Sequence, residues 1–480
     1  MLILPLLFVI IFISCCIVSL LPRKLIIVIK IFSLSTSFLV LSLILYIWIC
    51  FDEIYTGFQF IWWSIWFQNL NLIFIFGVDG VSIYFILLTA VLFPFCILSS
   101  WHLYSIKMLM LNLLMIEFLL LLTFTTSDLF LFCLFFESLL IPIFFIILIW
   151  GTRKRRIKAL LYFILYTLFG SIFLLLSLFI IYYELQTTHF YALELLSTHK
   201  QYIIWLLLFL AFGIKIPIIP FHIWLPEAHV EAPIVGSVIL AGLLLKLGGY
   251  GIIRFLFLFQ EAIMYFQSFV LILCLLSIGF ASLMALRQTD IKRIIAYSSI
   301  AHMNFALLGY FSLNVYGLIG GLLIIISHGI VSASLFFLVG YLYIRFQTRL
   351  LYYYSGLAQV LPLFITFLFI FIISNFSFPL SSNFIGEILI FICLSFGFQI
   401  SVICIAALST FFTVAYILFF FNRLAFGQIK IIFLNFFFDL QRIEYCVILF
   451  LVYLNMALGL FPIICIITFF ISLKLLVVFL

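Results

Sequence analysis

Six side chains have the types and the setting needed to move protons: Glu137, Lys215, Lys246, His302, His328 and Glu387. Each interrupts a long apolar run. Glu137 lies in DLFLFCLFFESLLIPIFF, Lys215 in AFGIKIPIIPFHIWLPEAH and Lys246 in SVILAGLLLKLGGYGIIRF, while SNFSFPLSSNFIGE ends on Glu387. An ionisable group at the centre of a bilayer costs ~2.5–3.5 kcal/mol on insertion scales, so it persists only where partners or water offset it, and it marks an ion or proton path by default. A salt bridge that merely holds two helices together is the plain alternative for any one of these residues. Two lysines and two glutamates on four separate segments form a chain that such a bridge does not explain. His302 in AYSSIAHMNFALLGY and His328 in IIISHGIVSASLFF lie between Lys246 and Glu387 in sequence. A lone helical histidine is usually a packing residue, but imidazole titrates near neutrality and has two nitrogens through which a proton can pass. Glu117 reads as a helix-packing or lipid-boundary acid, and His102, His189, His199, His222 and His229 as solvated or interfacial.

The elements that would hold these groups are helices. A spanning helix needs about 20 apolar residues, and that length marks segments near 2–21, 25–50, 82–100, 107–126, 129–150, 159–182, 203–224, 233–257, 263–286, 294–312, 316–343, 362–392, 398–422 and 445–472. The expectation is an all-α polytopic membrane protein with about fourteen spans. Prolines inside a membrane helix free backbone groups that must be covered by protein or line a hydrated cavity. Pro217 and Pro220 beside Lys215, and Pro379 with Ser381, Ser382 and Asn383 before Glu387, predict two broken helices, the seventh and the twelfth. Their comparable places in the two halves are what inverted repeats would produce.

Composition agrees. Of 480 residues 68% are hydrophobic and only 8% charged, mean hydropathy is +1.48, and the net charge is +7. Those values exclude a soluble enzyme, a disulfide scaffold and a disordered chain. When the basic residues are sorted across the segments, Arg23, Lys24, Lys107, the run from Arg153 to Lys158, Arg287, Lys292, Arg293, Arg345, Arg349, Arg423, Lys430 and Arg442 fall on one side. Only Lys200, Arg254 and Lys474 fall on the other, so both termini are expected to face outward. The ten cysteines are scattered and form no CxxC, and no nucleotide-binding loop, HExxH or haem-ligand pair occurs, so no cofactor is expected in this chain. The start MLILPLL shows neither a signal peptide nor an import leader, and with 65 Phe it favours an organelle-encoded product.

HIWLPEAHVEAPIVGSVILAGLLLKLGGYGIIRF (222–255) resembles the antiporter-like membrane subunits of respiratory complex I. The likeness continues through FFESLLIP (135–142), WGTRKRRIKALLYFILYTLFGSIF (150–173), LRQTDIKRIIAYSSIAHMN (286–304), ISHGIVSASLF (326–336) and SSNFIGEILI (381–390). The resemblance implies a proton-pumping subunit with helices 1–3 in residues 1–100, two inverted five-helix repeats in 101–257 and 258–425, and a C-terminal helix in 426–480. It implies Glu137 and Lys215 as a switch pair, Lys246 as the central lysine, His302 and His328 as relays and Glu387 as the terminal carboxylate. Paralogues in the family are expected to carry lysine at that last position. NADH, FMN, iron-sulfur clusters and ubiquinone would belong to partner subunits, neighbouring antiporter-like chains would flank this one, and the setting would be the mitochondrial inner membrane or a bacterial plasma membrane. One departure is Pro379-Leu380 where the family usually has Pro-Gly. A multisubunit sodium/proton antiporter subunit and a non-pumping scaffold are the alternatives.

Overall fold

A computed structural model of the chain describes residues 3–67, 72–397, 400–430 and 438–477. Among these residues, eleven helices are long and apolar enough to cross a membrane, from Ile3–Leu20 and Ile26–Ile49 to Ile400–Ala425 and Arg442–Leu460. Thr198–Lys215 and Ile291–Tyr310 are helices of similar length with more polar ends. Pro362–Asn375, Ser382–Gly397 and Ile463–Leu473 are shorter apolar helices.

Helices occupy the described parts of the expected segments with shifted bounds, and eleven rather than fourteen are long and apolar enough to cross a membrane; residue 2 of the segment expected at 2–21 and residues 398–399 of that expected at 398–422 lie outside the described residues. The segment expected at 203–224 ends as a helix at Lys215, and turns then lead to a separate Trp224–Glu231 helix, as proline at 217 and 220 requires. The segment expected at 362–392 divides at residues 376–381, and that expected at 445–472 divides at Pro462. Gln59–Phe67 and Leu72–Val78 form an antiparallel hairpin in a stretch to which no span was assigned. Its Ile, Trp and Phe content suits a pleated surface.

The chain divides into two compact units. The first takes in the described residues up to Lys215, 246–266 and those from 467 on. Here Lys107 donates to the Ser19 and Leu21 carbonyls at 2.7 and 2.6 Å, satisfying acceptors that the end of the first helix leaves open. Ring packing fills its interior, with Phe85, Phe124, Phe132, Phe212, Tyr250 and Phe255 buried. The second unit comprises the described residues of 216–245 and 267–466. Its central helix, Val315–Phe346, packs against Ser382–Gly397 where Gly320 and Gly386 face each other's backbone. A methyl group on Gly320 would stand 2.8 Å from the Gly386 carbonyl, so only glycine permits this approach. Glu387 is the next residue, and the crossing fixes its position against the neighbouring helix.

Candidate functional site

In the first unit, the helix Leu129–Ser138 begins at Asp128, whose carboxylate accepts from the Phe130 N–H at 2.8 Å, and it presents Glu137 in its last turn. Cys133, one turn earlier, lies 3.7 Å from the Glu137 Oε1. Lys215 is the last residue of Thr198–Lys215 and is 5% exposed. Its Nζ stands 4.5 Å from the centroid of the Phe136 ring. Among the described residues, Lys215 and Glu137 close no ion pair with each other. The pair is thus open, and an aromatic face supplies part of what the ammonium lost on leaving water. Lys246 is fully buried near the start of Leu245–Phe255, directly after a π-helical turn at Leu240–Leu244. Such turns interrupt a regular helix and recur at functional sites.

Two turns beyond Lys246 stands Arg254, which the sequence counts among the few outward-side cations at the end of segment 233–257; it is buried and forks onto Asp79, with Nη1 2.9 Å from Oδ2 and Nη2 2.7 Å from Oδ1. The Tyr250 hydroxyl accepts from Arg254 Nε at 3.1 Å and donates to the Phe124 carbonyl at 3.0 Å. Phe58 and Phe190 flank the guanidinium at 5.0 and 5.4 Å. Burial pushes the Asp79 carboxyl up, and the guanidinium overrides it, leaving the group below its ordinary value. The hairpin is thereby tied to the helix that carries Lys246. An arginine near a helix end looks solvated in sequence, and only its distant acid partner reveals otherwise.

The second unit gathers the remaining candidates. His302 on Ile291–Tyr310 places Nδ1 3.7 Å from the Glu387 Oε1, and the rings of His302 and His328 have centroids 5.5 Å apart. Three helices thus bring two imidazoles and one carboxylate to one place. Around them Ser327 donates to the Asn383 side-chain oxygen, and Asn383 donates to the Ser374 carbonyl at 3.0 Å.

The same unit corrects two further expectations. His229, expected near solvent, is fully buried and stacked on Phe336 with centroids 4.7 Å apart, and His222 is 9% exposed. Of the basic residues assigned to loops, Lys292 donates to the Ala232 carbonyl at 2.8 Å, Arg349 pairs with Glu231 at 3.1 Å, and Arg293 pairs with Glu227 at 2.7 Å. These cations staple the Trp224–Glu231 helix; Lys292 and Arg349 are buried, and Arg293 is half-buried. In the first unit, Glu117 is fully buried, and neither carboxyl oxygen has a hydrogen-bond partner among the described residues. No three His, Cys, Asp or Glu side chains cluster as a metal site would require among the described residues.

Buried titratable groups on interrupted helices define a multi-pass membrane protein of the ion-translocating class. Residues 126–414 match the family described as NADH:quinone oxidoreductase/Mrp antiporter, transmembrane. NADH-ubiquinone oxidoreductase chain 4 of Chondrus crispus is 45% identical over 90% of this chain and 88% of its own length, and that of Metridium senile is 41% identical over 96% and 95%. A chain of respiratory complex I from Thermus thermophilus superposes with a TM-score of 0.90 at 27% identity, covering 100% of this chain and 99% of that one. The Mrp complex of Dietzia gives 0.86 at 19% identity over 99% and 98%, a likeness of fold alone. The chain belongs to the antiporter-like membrane subunits of NADH:quinone oxidoreductase, in the branch whose members are called chain 4.

Proposed function

We propose that this chain translocates protons across the mitochondrial inner membrane as a subunit of NADH:ubiquinone oxidoreductase. Redox chemistry on NADH, FMN, iron-sulfur clusters and ubiquinone takes place in partner subunits, and other antiporter-like chains are its neighbours in the membrane. Residues 101–257 and 258–425 act as two inverted repeats, each contributing one broken helix.

Glu137 and Lys215 form the input switch. When the two charges close, the lysine holds its proton; in the open arrangement the proton is free to pass to Lys246. His302, His328 and Glu387 carry it onward to release. Each charge moved against the membrane potential costs about 2.3 kcal/mol per 100 mV, which distant electron transfer supplies through a coupling between sites.

The observation that carries the reading is the meeting of His302, His328 and Glu387 at the second helix break, from three separate helices and within 3.7 and 5.5 Å of one another. A scaffold has no use for such a cluster, whereas a proton path needs a donor, a relay and an acceptor. The test measures protons moved per NADH oxidised in membrane vesicles carrying the assembled complex. Glu137→Gln and Lys215→Ala are each expected to lower that ratio while the complex still assembles. A wild-type ratio in both variants would refute the assigned switch.

A further inference from the structure

The second helix break is anchored by a residue of Arg442–Leu460, a helix that carries none of the titratable groups of the proposed path. Leu380 adopts φ +76°, a left-handed conformation that glycine takes freely and leucine resists, so the surroundings must hold it. Those surroundings come from Arg442–Leu460, beyond the matched family region that ends at residue 414. Asn455 on this helix is fully buried. Its Nδ2 donates to the Ser374 Oγ at 2.7 Å, and its Oδ1 accepts from the Ser382 Oγ at 2.6 Å. Ser374 belongs to the half-helix before the break and Ser382 to the half-helix after it, five residues from Glu387. One turn further along, Gly459 lies so close to the Leu380 carbonyl that any Cβ there would collide with it.

We infer that Asn455 is a positioning residue for Glu387: its carboxamide bridges both halves of the broken helix, holds Leu380 in its left-handed conformation and so keeps the carboxylate beside His302. The inference rests on the proton-transfer reading above. A carboxamide suits the task because its nitrogen donates and its oxygen accepts at two separate atoms, one toward each half-helix, which an apolar side chain cannot do.

The assembled complex in membrane vesicles tests it, through protons moved per NADH oxidised and the abundance of the complex. Asn455→Leu is expected to lower the ratio at least twofold with the complex present. Leu380→Gly alone is expected to keep the ratio, and added to Asn455→Leu it is expected to restore most of what was lost, because glycine needs no clamp. A wild-type ratio in Asn455→Leu overturns the inference, as does a double variant no better than the single, since a packing role would not be rescued at residue 380. Should Asn455→Leu fail to assemble, Ser382→Ala decides: a lowered ratio recovered by Leu380→Gly supports the clamp, and an unchanged ratio overturns it. Glu387→Gln in the same vesicles separates the two levels. Normal pumping there sinks the proton-transfer reading itself, whereas lost pumping beside a normal Asn455→Leu sinks the clamp alone.

Discussion

The lysine region of the first unit, around a buried Lys215, and the glutamate region of the second, around a half-buried Glu387, stabilise charge by different means. Lys215 rests on the face of Phe136, within an interior of phenylalanine and tyrosine rings. Glu387 lies among imidazoles, hydroxyls and carboxamides, with His302 at 3.7 Å and Ser374, Ser382, Asn383 and Asn455 joined nearby. The difference follows from the ring quadrupole, which attracts a cation over its face and repels an anion. An aromatic cage can therefore shelter a lysine with few hydrogen bonds, while a carboxylate needs donors. The same logic explains the breaks: the first is set by two prolines near the lysine, and the second by one proline and a network of polar side chains.

The largest expected effect comes from putting the wrong charge in the aromatic region. Lys215→Glu should abolish assembly of the complex, since an uncompensated buried charge costs ~3–5 kcal/mol and the ring face adds repulsion. Lys215→Met should still assemble, as read by the amount of intact complex on native gels. Equal assembly of the two variants would break the contrast. Next comes Arg254→Leu, which strands Asp79 in the interior at ~3–5 kcal/mol and should lower the thermal midpoint of the complex by several degrees. Adding Asp79→Asn should recover most of that loss, and failure to recover would show that the arginine acts by packing. The smallest effect is Phe136→Leu, which removes a contact worth about 0.5–2 kcal/mol. It should leave assembly intact and change the proton ratio modestly, sharpening the account of how the open lysine is held.

Much of this was legible in sequence, for physical reasons. Glu137, Lys215, Lys246 and Glu387 stand out because charge is scarce in apolar runs, and Pro217, Pro220 and Pro379 announce breaks because proline cannot continue a hydrogen-bonded helix. What escaped depended on distant partners. Arg254 at a helix end reads as solvated until Asp79, 175 residues away, is found against it, and Lys292 and Arg349 read as loop charges until the Trp224–Glu231 helix is seen to receive them. His229 escaped because nothing local marks the Phe336 ring on which it stacks. The paired strands Gln59–Phe67 and Leu72–Val78 escaped because each is far shorter than the twenty apolar residues of a spanning helix. Asn455 escaped because nothing local marks it in an apolar helix, its partners Ser374 and Ser382 lying 81 and 73 residues earlier.

The central claim is that buried titratable groups in this chain carry protons, and Lys246, fully buried in the middle of the proposed path, tests it most directly. The measurement is the number of protons moved per NADH oxidised by vesicles carrying the Lys246→Met complex. The account predicts a reduced ratio with electron transfer to ubiquinone still running. A ratio equal to that of the unaltered complex would contradict it.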